Sequence, residues 1–512
     1  MLERLFHIRA SGSTVGRELR GGVVTFLTLS YILFVQPVVM SYTIKPPEKP
    51  VALTALADGQ PVPPDLVEVQ QQYDRQCAEQ KEEYWQGFFV ATCVASAVAC
   101  LLMAFLANYP FALAPAMGHN FFFAFAVCGA AKFGGFGLSW QQALAANFLS
   151  GAVFLALSFV GLREAVMHAI PDGLKYAIAV GIGFLIAFVG LQYGGLVVDN
   201  PGALVQRGNL AAPVALLTMA GLAILSVLLV LKVRGALLWG ILLTGGIALA
   251  ATWLDGRYGW FGGSCVLATF PEQYVIPKIP TATMFQLDFR GLFDTDFVNL
   301  LIIIFIFLFL DLFDTVGTLI GVGERGGMLV KGKLPRAGRA LASDAGATVV
   351  GTLFGTSTVT SYIESAAGIA AGARTGLANV VTAVLLLASL VAYPVIAMFG
   401  ETVVAPITII VNGAPVGTVG LYHPVLAPVL IVIGSLMMTS VAKIRWSDYA
   451  EAIPAFLCMV IMLFSLSIAD GIAWGFIAYA LLKLAGGKGR EVGAVVYVVS
   501  LLAILRYVLR PM

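Results

Sequence analysis

Charge is what this sequence has least of. Asp, Glu, Lys and Arg make up only 11% of its 512 residues, against about 25% in soluble domains. By contrast, 59% of residues are hydrophobic and the mean hydropathy is +0.91. So little charge cannot cover a soluble globular surface, and the composition reads as a polytopic membrane protein surrounded by lipid. The net charge of +2 supplies no basic surface for nucleic acid. Histidine and cysteine are also scarce: four His and six Cys, with no CxxC or HxxxH spacing. That argues against a metal site, and no cofactor is called for. Residues 1–20 are polar and amphipathic and lead straight into an apolar span, so no cleavable signal peptide is expected. Cys77 and Cys265 fall in two polar loops on one side. A disulfide between them and two unpaired thiols are both compatible with that placement.

What the chain does have is long apolar runs. Stretches of spanning length lie near 22–41, 87–107, 140–161, 174–193, 212–231, 235–254, 298–320, 377–398, 421–441, 450–468 and 471–486. Shorter Gly- and Thr-rich stretches occupy 114–128, 341–355 and 360–372. The first and last are too short or interrupted to span as ordinary helices. Broken half-helices of that kind are tolerated only where they line a cavity, and a matched pair marks the binding site of a transporter. The total is fourteen crossings or partial crossings, seven before residue 260 and seven after. An odd number per half forces the second half to enter the membrane inverted. Lys and Arg set the orientation. Arg4, Arg9, Arg17 and Arg20, the run from Arg325 to Arg339, Lys232 with Arg234, and Lys443 with Arg445 mark the cytoplasmic ends. The loop 45–86, with four basic and eight acidic residues, is placed outside, as is 255–297. Residues 492–509 are either a fifteenth span or an interfacial helix, with Arg506 and Arg510 able to snorkel.

Two acids interrupt the run FVNLLIIIFIFLFLDLFDTVGTLIG, residues 297–321, which holds no Lys, Arg or His. An ionised Asp at the centre of a membrane helix costs about 2.5–3.5 kcal/mol on an insertion scale. Asp311 and Asp314 are three apart and share a helix face, which should look at protein or water. A carboxyl group in such a site can carry a proton or accept hydrogen bonds from a ligand; a structural bond to a neighbouring helix is the plainer role. Thr315 and Thr318 on the same helix are further polar candidates. Gly317 and Gly321 form a small-xxx-small pair, most simply helix packing. Glu364 follows a polar stretch, and a half-helix starting near Ser361 would aim its N–H groups at a ligand. Ser361 and Glu364 also match a capping box, in which Glu364 closes its own helix start. Asn120 offers a donor and an acceptor to a heteroaromatic edge, or an interhelical bond. His119 beside it reads first as a satisfied interior histidine, and as a titrating or substrate-bonding group second. Phe122 and its neighbours Phe121, Phe123 and Phe125 could stack on a flat ligand or simply fill the core. Glu451 and Asp470 sit near span ends, where a solvated or structural role fits.

Four stretches carry a resemblance: LFDTVGTLIG (312–321), TSYIESAAGIA (360–370), ANYPFALAPAMGHN (107–120) and EAIPAF (451–456). Together they are similar to AzgA-like adenine/guanine/hypoxanthine permeases, nucleobase–cation symporters within the nucleobase–ascorbate transporter fold. The similarity runs from about Ser13 to the C-terminus, most of 45–86 excepted. It implies an all-α polytopic fold of fourteen segments in two inverted repeats of seven, with short β-strands before broken third and tenth segments. It implies a core domain (22–161 and 298–398) that moves like an elevator against a gate domain (174–254 and 421–486). Residues 1–21 would be the cytoplasmic N-terminus, 42–86 and 255–297 outer loops, and 487–512 a C-terminal segment. It implies proton-coupled import of purine bases across the plasma membrane, contact with lipid, and a fold in which homodimers are common. The family's base-binding acids match Asp311, Asp314 and Glu364, and its third-segment Asn matches Asn120. Two departures stand out. The usual GMGLN is AMGHN here, which places His119 beside the site, and the usual VNP is VQP at Val35, Gln36 and Pro37.

The expectation is a secondary transporter that takes up adenine, guanine or hypoxanthine with protons. Glu364 and one Asp bond the base, and the other Asp, Glu364 or His119 carries the proton. A same-fold carrier of xanthine, uracil or a small anion such as sulfate is the alternative, although three carboxylates would repel an anion. An intramembrane aspartyl protease would need its two Asp on facing helices, not three apart on one. A channel suits broken helices and few charges less well than occluded binding does.

Overall fold

The computed structural model describes residues 2–50, 66–129, 135–160, 171–200, 204–259, 266–271, 274, 276–277, 281–330, 334–400, 402–411 and 414–509. Inside a bilayer each backbone N–H and C=O must find its partner within the protein, so the apolar runs become helices. Eight described helical stretches are long and apolar enough to cross a bilayer on their own. After a short helix α1 (Leu2–Phe6), the first span is broken in two: α2 (Val15–Leu29) and α3 (Ile32–Ser41). Thr14 caps α2 by accepting from the Arg17 amide at 3.4 Å. The break at Ser30–Tyr31 turns the Tyr31 side chain into the protein, 3% exposed.

Helix α4 (Val67–Leu102) has 36 residues and continues as wider π turns over Met103–Ala107. At 1.5 Å per residue it is about 54 Å long, against a hydrocarbon core of about 30 Å. Its polar first half therefore stands outside the apolar layer. This corrects the reading of 42–86 as loop, because residues 67–86 are helical. Glu68 in the first turn and the bond from Gln70 Nε2 to Asp74 Oδ1 (2.8 Å), one turn apart, support a helix without an apolar stripe.

The third segment is strand β1 (Leu113–Pro115) followed by α5 (Met117–Phe121), which opens into π turns over Phe122–Val127. Helix α6 (Trp140–Val160) completes the first group of crossings, and α7 (Asp172–Tyr193), α8 (Pro213–Val230) and α9 (Ala236–Tyr258) form the second. Strands β2 (Val197–Asn200) and β3 (Leu204–Arg207) make a hairpin after α7. The second half begins with α10 (Phe297–Arg325), capped by Asp296 through the Val298 amide at 3.4 Å. The stretch read as a short segment at 341–355 belongs to an unbroken 18-residue helix, α11 (Ala337–Phe354). It ends where Gly355 takes the left-handed conformation, φ +95°, open to glycine. Strand β4 (Val359–Ser361), the short α12 (Ser365–Ala370), α13 (Leu377–Ala388) and α14 (Tyr393–Gly400) follow. A hairpin of β5 (Val403–Val411) and β6 (Ala414–Tyr422) leads to α15 (Ala427–Met437), α16 (Tyr449–Ser465) and α17 (Ile468–Ala485). The terminal run 492–509 contains a fifteenth long element, α18 (Ala494–Leu509), packed on α17 and α10.

The helices pack in two groups. One holds α2, α3, α4, α6, α10, α11 and α13, and the other α7, α8, α9, α15, α16 and α17. Small residues let backbones touch within each group. A Cβ on Gly183 of α7 would lie 2.9 Å from the Gly434 carbonyl oxygen of α15. An ion cluster with buried Lys483 and Glu451 at its centre ties the second group at one end: Lys483 sits 3.7 Å from Glu451 and 3.7 Å from Asp448, and exposed Arg445 is 3.4 Å from Glu451. Asp470 accepts from Tyr507 at 2.7 Å, fixing α18 to α17. Glu451 and Asp470 are thus both engaged in contacts between elements. Cys77 is free of any disulfide among the described residues, and Cys265 lies outside them.

Candidate functional site

The two broken segments meet at β1 and β4, which pair antiparallel with Leu113 opposite Ser361, Ala114 opposite Thr360 and Pro115 opposite Val359. The ladder continues at both ends through Ala116 N to Thr358 O and Tyr362 N to Ala112 O, each 2.9 Å. Each strand satisfies the other's backbone, which allows extended chain at this depth. Each also delivers the start of a half-helix to the same place, with α10 alongside β4.

On α10 the two acids part company. Asp311 is 1% exposed; its Oδ2 accepts from Thr348 Oγ1 at 3.0 Å, while its Oδ1 is buried without a partner among the described residues. Asp314, one turn on, is exposed and makes no ion pair or hydrogen bond among the described residues. Gly317 and Gly321 continue its face, and a Cβ at either would meet nothing within 4 Å. They are not a helix-packing pair, as the small-xxx-small spacing suggested, but the floor of an open space beside Asp314. Thr318, on the buried side, is 8% exposed.

Glu364 is half-buried at the start of α12 and accepts from Tyr31 OH at 3.1 Å through Oε1. The break in the first span is what brings Tyr31 here. Helix α10, which carries Asp314, packs against α12, the half-helix that Glu364 opens. The capping box does not form. Ser361 belongs to β4, its hydroxyl is given to Asp344, and Glu364 itself occupies the cap position of a helix that starts at Ser365. The half-helix thus begins four residues later than the sequence suggested, because strand pairing claims Ser361 first.

Asp344 on α11 is a residue that the sequence reading passed over. It is fully buried. Its Oδ1 accepts from Ser361 N and Ser361 Oγ, both 2.8 Å, and its Oδ2 accepts from Thr315 Oγ1 at 2.5 Å. Thr315 is also 2.7 Å from Thr360 Oγ1. Thr315 thus fastens α10 to β4 and Asp344 instead of facing the open space. Asn120, also fully buried, accepts from Ser357 Oγ, linking α5 to the loop before β4. Gln36 donates to Thr356 Oγ1 at 2.8 Å, so the VQP variant anchors the same loop. Phe122 is fully buried, edge-on to Phe307 with centroids 4.9 Å apart, and its ring is covered by protein. His119 is 2% exposed, but its Nε2 has no partner among the described residues, unlike the satisfied interior histidine expected.

Carboxylates of this kind, unpaired with any cation among the described residues, offer acceptors to a ligand rich in N–H groups. A family model described as Permease family matches residues 76–474. The chain belongs to the permease family. It is 37% identical to Guanine/hypoxanthine permease PbuG of Bacillus subtilis, over 99% of this chain and 99% of that protein. It is 34% identical to Adenine permease AdeP of Escherichia coli, over 99% of this chain and 96% of that protein. Among solved structures, the transmembrane domain of a cyanobacterium bicarbonate transporter BicA matches with a TM-score of 0.53 at 13% identity, covering 90% of this chain and 96% of that one. The fold is therefore the seven-plus-seven inverted repeat. The protein is a multi-pass membrane permease and not an enzyme.

Proposed function

We propose that this permease moves purine nucleobases across the cytoplasmic membrane together with protons. The observation that carries the reading is the pair Asp314 and Glu364, one carboxylate facing open space and the other held by a tyrosine hydroxyl, with no cation on either among the described residues. A neutral base with ring N–H and amino donors gives a carboxylate two parallel bonds without pairing a full charge. An anion would meet repulsion from both. The names of the relatives, guanine/hypoxanthine and adenine permeases, support the same class.

Asp311 is the proton carrier in this reading. It sits a turn behind Asp314, and protonation would remove a buried charge that has, among the described residues, one donor and one unpartnered oxygen. Asn120, Thr315 and Asp344 position the strands. The first group of helices, with both half-helices, acts as the moving core and the second as the gate. Support comes from the packing, which is dense within each group. The apolar surface of α9, with Trp239, Leu243 and Ile247 exposed, suits lipid contact. The Lys and Arg distribution supports a cytoplasmic N-terminus.

The test is binding of hypoxanthine, guanine, adenine, uracil and sulfate to the purified protein, by thermal shift and radioligand. A purine that stabilises the wild type and binds and stabilises Glu364→Gln much more weakly is the expected result. Stabilisation by sulfate alone, or unchanged purine binding by Glu364→Gln, overturns it.

A further inference from the structure

A second cavity, of about 400 Å³, opens on the face that carries the start of α4 and the β5–β6 hairpin, which is the outer face in the orientation proposed above. Its volume falls within the roughly 300–1,000 Å³ of small-molecule pockets. None of the carboxylate-site residues lines it. Aromatic residues Tyr42, Tyr84, Trp85 and His423 share its walls with aliphatic ones, and Gln80 and Lys81 are among the polar groups that line it.

The walls are held rigidly. Trp85 stacks on Phe89 with centroids 6.0 Å apart and meets the edge of Tyr393 at 5.7 Å. It also presses on Gly400, where a Cβ would lie 2.8 Å from the indole. Tyr42 stacks on Tyr193 at 5.6 Å and hydrogen-bonds His423 Nε2 at 3.0 Å. With His423 Nδ1 donating to the Gly400 carbonyl at 3.2 Å, Nε2 is the acceptor and the tyrosine hydroxyl donates. Lys81 Nζ donates to Thr402 Oγ1 at 2.9 Å, which fixes an ammonium at the rim.

Tyr42 belongs to two places at once. One side of its ring lines the cavity, and another packs on Phe125 at 5.9 Å, which packs on Phe121 at 5.5 Å, next in chain to Asn120. Tyr42 joins α3 and the third segment to Tyr193 and His423, which lie at the ends of α7 and β6 in the other helix group.

We propose that this cavity is a loading site that holds the planar heteroaromatic substrate before it reaches the carboxylates. The ring stacks between the aromatic walls, Lys81 and Gln80 donate to its carbonyl or ring nitrogen, and Tyr42 is the door toward the third segment. The proposal rests on the nucleobase reading above and deepens it.

Cys77 lines the cavity and is half-buried, so it reports occupancy. The experiment uses the full chain with Glu364→Gln, to empty the carboxylate site, and with Cys128→Ala and Cys265→Ser. Cys93, Cys100 and Cys458 are buried and stay silent. The rate of Cys77 modification by a charged methanethiosulfonate is followed as hypoxanthine is added, with hypoxanthine binding to the wild type measured alongside. We expect a saturable fall in rate of about fivefold or more as the ring covers the thiol. Adding Lys81→Met, at an exposed residue whose loss spares the fold, should raise the hypoxanthine concentration needed by about tenfold, the equivalent of one lost bond. A Cys77 rate unmoved by hypoxanthine overturns the loading site, as does protection that Lys81→Met and Gln80→Ala leave unchanged. If the wild type still binds hypoxanthine in that case, only the loading site falls; if it binds none of hypoxanthine, guanine and adenine, the nucleobase reading falls too.

Discussion

Asp344→Ala is the substitution that most directly tests how the site is held. The carboxylate receives the Ser361 amide and hydroxyl at 2.8 Å each and the Thr315 hydroxyl at 2.5 Å, all in a fully buried setting. Alanine leaves the Ser361 N–H without a partner, which costs about 1–3 kcal/mol. The two hydroxyls can turn elsewhere, since Thr315 and Thr360 already touch, so their loss adds about 1 kcal/mol each at most. Removing a buried charge returns some desolvation energy, which lowers the total. The net expectation is a destabilisation of about 2–4 kcal/mol. Asp344→Asn keeps an acceptor for Ser361, and its amide can donate to Thr315 Oγ1, so it should stay within about 1 kcal/mol of wild type. Glu364 is three residues from Ser361, and a slack β4 should also cost Asp344→Ala its purine binding. Equilibrium unfolding in mixed micelles, with guanine binding on the folded fraction, reads both effects. An Asp344→Ala protein as stable as wild type with unchanged binding would refute the assignment of Asp344 as the anchor of β4.

Gly317→Leu should fold with wild-type stability, because nothing lies within 4 Å of its Cβ position, yet block purine uptake by filling the space beside Asp314; normal uptake in proteoliposomes would show that this face is not on the substrate's path. Tyr31→Phe removes the hydroxyl on Glu364 and should weaken purine binding by about tenfold with little change in melting temperature; calorimetric titration giving equal affinity would detach Tyr31 from the site. Thr348→Val keeps the shape beside Asp311 but removes the one donor it has among the described residues. Purine uptake driven by an inward proton gradient should fall in this variant while equilibrium binding at fixed pH persists, and gradient-driven uptake equal to wild type would remove Asp311 from the proposed coupling.

The acids of α10 were legible because a charge in a lipid-facing run is expensive, so its presence alone asks for a reason. Asp344 carries the same chemistry but was hidden by its neighbours. In AGRALASDAGATVV the Arg, Ser and small residues lower the apolar contrast, and an acid there looks like one more surface group. Tyr31 was hidden for the opposite reason. It is one aromatic residue in an apolar stretch, and the helix breaks at Ser30–Tyr31 with no Gly or Pro at the break; Pro37 lies inside α3. The capping-box pattern at Ser361 and Glu364 was read correctly as letters and overridden by a partner 248 residues away in the chain, Leu113, which takes Ser361 into a strand. Residues 67–86 read as loop because this polar part of the helix carries no continuous apolar stripe to reveal it.

The four carboxylates differ in burial, and hydroxyls bonded to the buried ones make a link between ligand and proton physically available. Asp314 is exposed and Glu364 half-buried, while Asp311 and Asp344 are buried. Thr348 Oγ1 lies 3.0 Å from Asp311 Oδ2 and 3.1 Å from the Val359 carbonyl of β4, and it has one proton to give. While Asp311 is ionised that proton points at the carboxylate. Once Asp311 is protonated it becomes a donor, and Thr348 can accept from it and turn its own proton to Val359. Thr315, between Asp344 and Thr360, has the same freedom. In the reading proposed above, a proton arriving on the buried pair would be accommodated by rotating hydroxyls, and the change would reach β4, which ends three residues before Glu364. In the proposed reading the strand is an element through which base and proton sense each other, and the anchor Asp344 and the relay Thr348 therefore test coupling without removing an acid that touches the base.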